Sequence, residues 1–148
     1  MDRAEVPERL PESDRLSSQH DVTPDEVMIS VCTTCKANDG QPGIGADLFD
    51  ALQAAIDGGV ATLRRVQCLG VCKRPATVAV SSPGGYTFLF GDLATDSGPA
   101  ALASFVTAYR EAAYGLVPWR QRAEVLRKGM IARLPPPHWS PEDGRAPT

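Results

Sequence analysis

Apolar positions along the chain fall into short stretches with two different periods. Val27-Met28-Ile29-Ser30-Val31 is a compact apolar run, short enough for a buried strand, and it leads directly into Cys32. Polar and turn-forming residues follow, with Asp39-Gly40 and Pro42-Gly43 as turn signals. From 46 to 57 the period becomes helical: Leu48, Phe49, Leu52 and Ile56 share one face, and Gly58-Gly59 supplies the stop. Residues 60–66 read as a second strand, with only Gln67 between it and Cys68. After Pro75, residues 76–80 and 86–90 are apolar runs separated by Ser81-Ser82-Pro83-Gly84-Gly85, which is the pattern of a β-hairpin. Leu102, Phe105, Val106 and Tyr109 place a second helix over 98–114, with Asp96 or Ser97 as cap and Pro99 in the first turn. A third helix is expected over 118–132.

The chain thus reads β-α-β, cysteine loop, β-β-α, then an added helix. A βαβ unit makes its two strands parallel through a right-handed crossover. The junctions before Cys32 and Cys68 then lie at the same C-terminal sheet edge, where open α/β sheets hold their ligands. The expected fold class is α/β, with the element order of a thioredoxin-like sandwich and an extra C-terminal helix.

The four cysteines form two pairs, Cys32-Thr-Thr-Cys35 and Cys68-Leu-Gly-Val-Cys72, each directly after a strand. Four thiolates hold either an iron–sulfur cluster or a tetrahedral zinc ion, and the spacing suits both. Gly70 lets backbone N–H groups approach sulfur closely. Four buried cysteines without a ligand is the plainer alternative, but two pairs carried on loops suit it poorly. A dithiol–disulfide pair at Cys32 and Cys35 is the sharper rival. It leaves Cys68 and Cys72 without a role, and the turns after Cys35 break the chain where a thioredoxin-type motif would open a long helix.

The segment Cys68-Leu-Gly-Val-Cys72-Lys-Arg-Pro75-Ala76-Thr77-Val78 resembles the second cysteine motif of thioredoxin-like [2Fe–2S] ferredoxins and of the related cluster-binding subunit of respiratory complex I. Over 27–136 the chain is more similar still to a bacterial family of predicted metal-binding proteins of unassigned function. That family shares the early CTTC segment, the CLGVC loop, a YTFLFGDL-like strand and a late arginine-rich helix ending in LPP. The resemblance implies a [2Fe–2S] cluster on Cys32, Cys35, Cys68 and Cys72, with Zn²⁺ or a [4Fe–4S] cluster as alternatives. It implies one-electron transfer between a reductase and an acceptor enzyme, no catalysis by this chain alone, and pairing of two copies as a homodimer. One departure is that the ferredoxins separate their first two cysteines by many more residues than Thr33 and Thr34.

Composition and charge add boundaries. Residues 1–26 carry eight acids against three arginines and few large apolar side chains, the signature of a segment without a core of its own. Residues 135–148 hold five prolines and no periodic pattern. The expected cluster-binding domain is therefore 27–134, flanked by an acidic N-terminal tail and a proline-rich C-terminal tail. The net charge of −3 resolves into −5 for residues 1–26 and +2 for the rest, too weakly basic for nucleic acid. No stretch has the ~20 apolar residues of a membrane span, and no export signal is evident, so the cytoplasm is the expected compartment. Thiols stay reduced there, which favours metal or redox chemistry over structural disulfides.

Lys36, Arg64, Arg65, Lys73 and Arg74 flank the cysteines and are candidates to offset cluster charge or to meet an acidic partner. The helix around Arg120, Arg122, Arg127 and Lys128 reads as a solvated basic face, and Trp119 as packed on the sheet. His20 and His138 lie in the tails, away from any ligand set. Gly43-Ile44-Gly45 lacks the G-x-x-x-x-G-K pattern of a phosphate loop.

Overall fold

A computed structural model describes residues 24–36, 40, 42–71 and 73–136. Residues 1–23 and 137–148, which make up most of the two expected tails and include His20 and His138, lie outside the described residues, as does Cys72. The elements are β1 (Met28–Cys32), α1 (Ile44–Ala55), β2 (Thr62–Val66), β3 (Val78–Ser81), β4 (Thr87–Phe90), α2 (Gly98–Glu111), 3₁₀ turns at Ala113–Gly115 and Trp119–Gln121, α3 (Glu124–Gly129) and β5 (Met130–Leu134). The five strands form one sheet in the order β2-β1-β3-β4-β5. β1 and β2 are parallel, as the βαβ reading requires, and the remaining pairs are antiparallel.

Alternation along the strands sorts the core. Ile29 and Val31 of β1 lie opposite Val80 and Val78 of β3, and Phe88 and Phe90 of β4 continue the row; all are fully buried. Leu48, Phe49 and Leu52 of α1 join Leu102, Phe105, Val106 and Tyr109 of α2 in the same core. Phe105 meets Phe88 and Phe90 edge-to-face with ring centroids 5.1 Å apart in both pairs. Such contacts add to the burial of the rings themselves. The Tyr109 hydroxyl donates to the carbonyl of Tyr86 at 2.6 Å, tying α2 to the start of the hairpin strand. Ser97 stands at the N-cap of α2 without a capping hydrogen bond from its side chain.

The third helix departs from the sequence reading. It is present over 124–129 only; a 3₁₀ turn precedes it and β5 follows. The cause is non-local. β4 offers an open ladder on its far side, and residues 130–134 complete it antiparallel, with an irregularity at Leu89/Phe90. The switch occurs at Gly129, whose carbonyl accepts from the Gly91 N–H at 2.7 Å. A Cβ on Gly129 would run into the Gly91 carbonyl oxygen, so only glycine permits this approach.

Two side-chain expectations change with it. Trp119 is 62% exposed rather than packed on the sheet, and the Arg127 guanidinium lies over its ring at 4.5 Å. Arg122 is not on a solvated face: it is 6% exposed, stacked 5.4 Å from the Phe88 ring, and donates through Nε and Nη2 to the carbonyl of Val117. Among the described residues, no helix is long and apolar enough to cross a membrane.

Candidate metal centre

The parallel ladder ends at Cys32, which pairs with Val66 of β2. Hydrogen bonds then carry the two chains together past the strand ends. The Thr33 N–H donates to Val66 O at 3.0 Å, and the Thr33 hydroxyl reaches the same oxygen at 3.4 Å. The Thr34 hydroxyl donates to Gln67 O, and the Cys32 thiol faces that oxygen at 3.5 Å. Gln67 O belongs to the peptide that enters Cys68, so covalent geometry puts the Cys68 Cα within about 7 Å of the Cys32 sulfur. The two cysteine segments therefore meet at one sheet edge.

They do not meet as equals. Cys32 and Cys35 are buried, with their sulfurs 3.0 Å apart. On the other side, Thr77 holds the pair against β3: its carbonyl accepts from the Cys32 N–H at 3.1 Å and its hydroxyl lies 3.6 Å from the Cys35 sulfur. Gly45, in the first turn of α1, backs directly onto Cys32, and a Cβ there would run into the Cys32 carbonyl oxygen. Cys68 is exposed, and its sulfur accepts the Gly70 N–H at 3.2 Å, with Gly70 at φ +82. That is the use anticipated for Gly70, since a residue without Cβ adopts this conformation freely.

The environment splits the first pair electronically. Burial pushes the Cys32 thiol up, but the hydrogen bonds it receives from Cys35, Thr34 and Thr77 outweigh burial and bring its pKa below the ordinary value. Cys35 goes the other way. Burial raises it, and donating its proton to Cys32 raises it further, against an opposing hydrogen bond from Thr77. Cys32 is therefore the more acidic thiol of the pair and Cys35 the less acidic one.

Among the described residues, no three His, Cys, Asp or Glu side chains converge as a set able to hold a metal ion. Cys32 and Cys35 are brought together; Cys68 is adjacent in the chain path but not gathered with them, and Cys72 lies outside the described residues. The donors themselves are soft sulfur, one with its pKa lowered by hydrogen bonds and another receiving a backbone N–H. Their chemistry fits an iron–sulfur cluster or zinc.

Three of the five flanking cations are engaged elsewhere. Arg64 donates to the Ser30 hydroxyl at 2.7 Å, Arg65 lies over the Phe49 ring at 4.1 Å, and Arg74 pairs with Asp92 at 2.7 Å. Three supporting residues escaped the sequence reading: Thr77, Gln67 and Gly45. Thr77 and Gln67 look there like ordinary strand and linker positions. A signal for Thr77 existed, because it directly precedes the strand that lies next to β1.

This geometry defines a class: an α/β protein with thiols gathered at the C-terminal edge of parallel strands. Residues 29–136 match the family described as "Protein of unknown function (DUF1636)", and the chain belongs to that family. Among solved structures, it is similar to a thioredoxin-like [2Fe–2S] ferredoxin from Aquifex aeolicus. The TM-score is 0.51 and the identity 16%, over 77% of this chain and 97% of that one. The likeness establishes the thioredoxin-like fold. No curated protein matches the chain.

Proposed function

We infer that the chain is a [2Fe–2S] ferredoxin-like electron-transfer protein, with one cluster held by Cys32, Cys35, Cys68 and Cys72. The observation that carries this reading is the stitched junction of β1 and β2, which brings Cys32 and Cys35 beside the peptide entering Cys68. The solved ferredoxin of the same fold supports it. Such a cluster would supply one-electron oxidation and reduction.

The chain's own residues supply the rest. Cys32 and Cys35 form a fixed, buried half of the ligand set, ordered by Thr77 and Gly45. The backbone N–H groups of Thr34 and Gly70 place hydrogen-bond donors at the Cys32 and Cys68 sulfurs, the arrangement that tunes a sulfur-ligated centre. Cys68 stands exposed at the rim, on the side where a reductase and an acceptor enzyme would exchange electrons. The protein acts in the cytoplasm, as a homodimer, without catalysis of its own.

Anaerobic purification followed by iron, sulfide and zinc analysis tests this. A coloured protein with iron and acid-labile sulfide in equal amounts, about two of each per chain, is the expected result. Colourless protein with one zinc per chain would overturn it in favour of a structural zinc module held by the same four cysteines. A [4Fe–4S] cluster would show as about four of each.

A second reading has its own observation. Sulfurs 3.0 Å apart with oppositely shifted pKa values suit a dithiol that loses two electrons and two protons to a disulfide substrate as its own S–S bond forms. Metal-free protein with disulfide reductase activity, abolished by Cys32→Ser and retained by Cys68→Ser, would establish that reading instead.

A further inference from the structure

Away from the cysteine edge, a hollow of about 520 Å³ lies between the 3₁₀ turn at Trp119–Gln121, α3 and β5. Among the described residues that line it, three are arginines, Arg122, Arg127 and Arg133, and none is acidic. Like charges gathered around one space repel, most of all where one of them is buried away from screening water. Arg122 is the extreme case. It is 6% exposed, yet its guanidinium meets only neutral acceptors: the Val117 carbonyl at 3.1 and 3.0 Å and the Met130 sulfur at 3.7 Å. The charges of Arg133 and Arg127 bear on it, and no described carboxylate pairs with it.

The other two arginines stand at the mouth. Arg127 donates to the carbonyls of Trp119 and Arg120, both at 3.1 Å, and covers the Trp119 ring. Arg133 is exposed, lies 5.6 Å from the Tyr86 ring, and makes no hydrogen bond to another described residue. Glu124, two residues after Arg122 in sequence, is turned to Lys128 at 2.9 Å. Capping of carbonyls accounts for the donors of Arg122 and Arg127. It does not account for Arg133, nor for three cations lining one space with no counter-charge among the described residues.

We propose that this hollow is an oxyanion subsite for a phosphate- or carboxylate-bearing small molecule. Arg133 and Arg127 receive the anionic group at the mouth, Arg122 supplies a fixed positive charge behind it, and Trp119 forms a wall. The planar guanidinium fork matches the paired oxygens of either group. The site is independent of the cysteine centre and of what that centre holds.

The test uses the full chain carrying Trp139→Phe, which leaves Trp119 as its one tryptophan. Inorganic phosphate is titrated in one arm and citrate in another, with ionic strength held constant by potassium chloride. Calorimetry and Trp119 emission are followed together. A saturable response is expected in at least one arm, and the responding arm identifies the anion class. Arg133→Ala should keep the circular dichroism of the parent and weaken binding at least tenfold, and Arg133→Lys should weaken it less. A response no larger than that of potassium chloride, or binding that Arg133→Ala leaves intact, overturns the proposal.

Discussion

The two cysteine segments leave neighbouring parallel strands and end in opposite environments. Cys32 and Cys35 turn inward and are held from three sides: by Val66 and Gln67 of the β2 exit, by Thr77 before β3, and by Gly45 beneath. Cys68 is exposed, with a backbone N–H at its sulfur. The more distinctive motif thus sits in the exposed segment, while the more heavily supported thiols sit in a motif of only two intervening threonines. A recognisable spacing and a rigid placement are separate properties. The first reports which chemistry is available, and the second reports which half of the site is ready before any ligand arrives.

The sharpest way to break this contrast is through the two glycines. Gly45→Ala forces a methyl group against the Cys32 carbonyl, and overpacking of that kind costs about 3 kcal/mol. Gly70→Ala meets no atom within 4 Å and carries only the penalty of a left-handed backbone, about 1 kcal/mol. Urea unfolding of the metal-free variants measures both; equal costs would mean that the first segment is no more constrained than the second.

Thiol labelling gives a tenfold effect. In metal-free protein at neutral pH, iodoacetamide should modify exposed Cys68 at least about ten times faster than buried Cys35, whose pKa is raised. Peptide mass spectrometry over time reads the order, and modification of Cys35 first would reverse the comparison. Cys32 should remain partly ionised to lower pH than an ordinary thiol, because its folded pKa is depressed. Its labelling in gently loosened protein should therefore fall off at lower pH than that of Cys35.

The smallest effect is expected at Thr77→Val. It removes a buried hydroxyl that favours the Cys32 thiolate, at a cost of about 1 kcal/mol. The labelling profile of Cys32 should move to higher pH, and an unchanged profile would show that the Thr77 hydroxyl does not act on that thiol.

Much of this architecture can be read from residue order. The apolar runs at β1, β3 and β4 and the helical stripe of Leu48, Phe49 and Leu52 are local patterns, and the structure keeps them. The parallel relation of β1 and β2 follows from the crossover between them. β5 could not be read this way. Met130 to Leu134 continue a stretch rich in helix formers, and only the open side of β4 makes a strand the better solution. Arg122 failed for the same reason, since its burial depends on Phe88 and on the Val117 carbonyl, neither of which its own neighbours in sequence announce. The cysteines were legible as two pairs. Their unequal burial was not, because it is decided by Thr77 and Gly45, which reach Cys32 and Cys35 only after the chain has folded back on itself.

That fold-back sets a schedule for synthesis. The Thr77 hydroxyl that touches the Cys35 sulfur lies 42 residues further along the chain. At about 5–20 residues per second, translation reaches Thr77 roughly 2–8 s after Cys35 is made. Throughout that interval the first thiol pair lacks the hydroxyl that later packs against Cys35, so the finished pocket around the pair is a product of late synthesis.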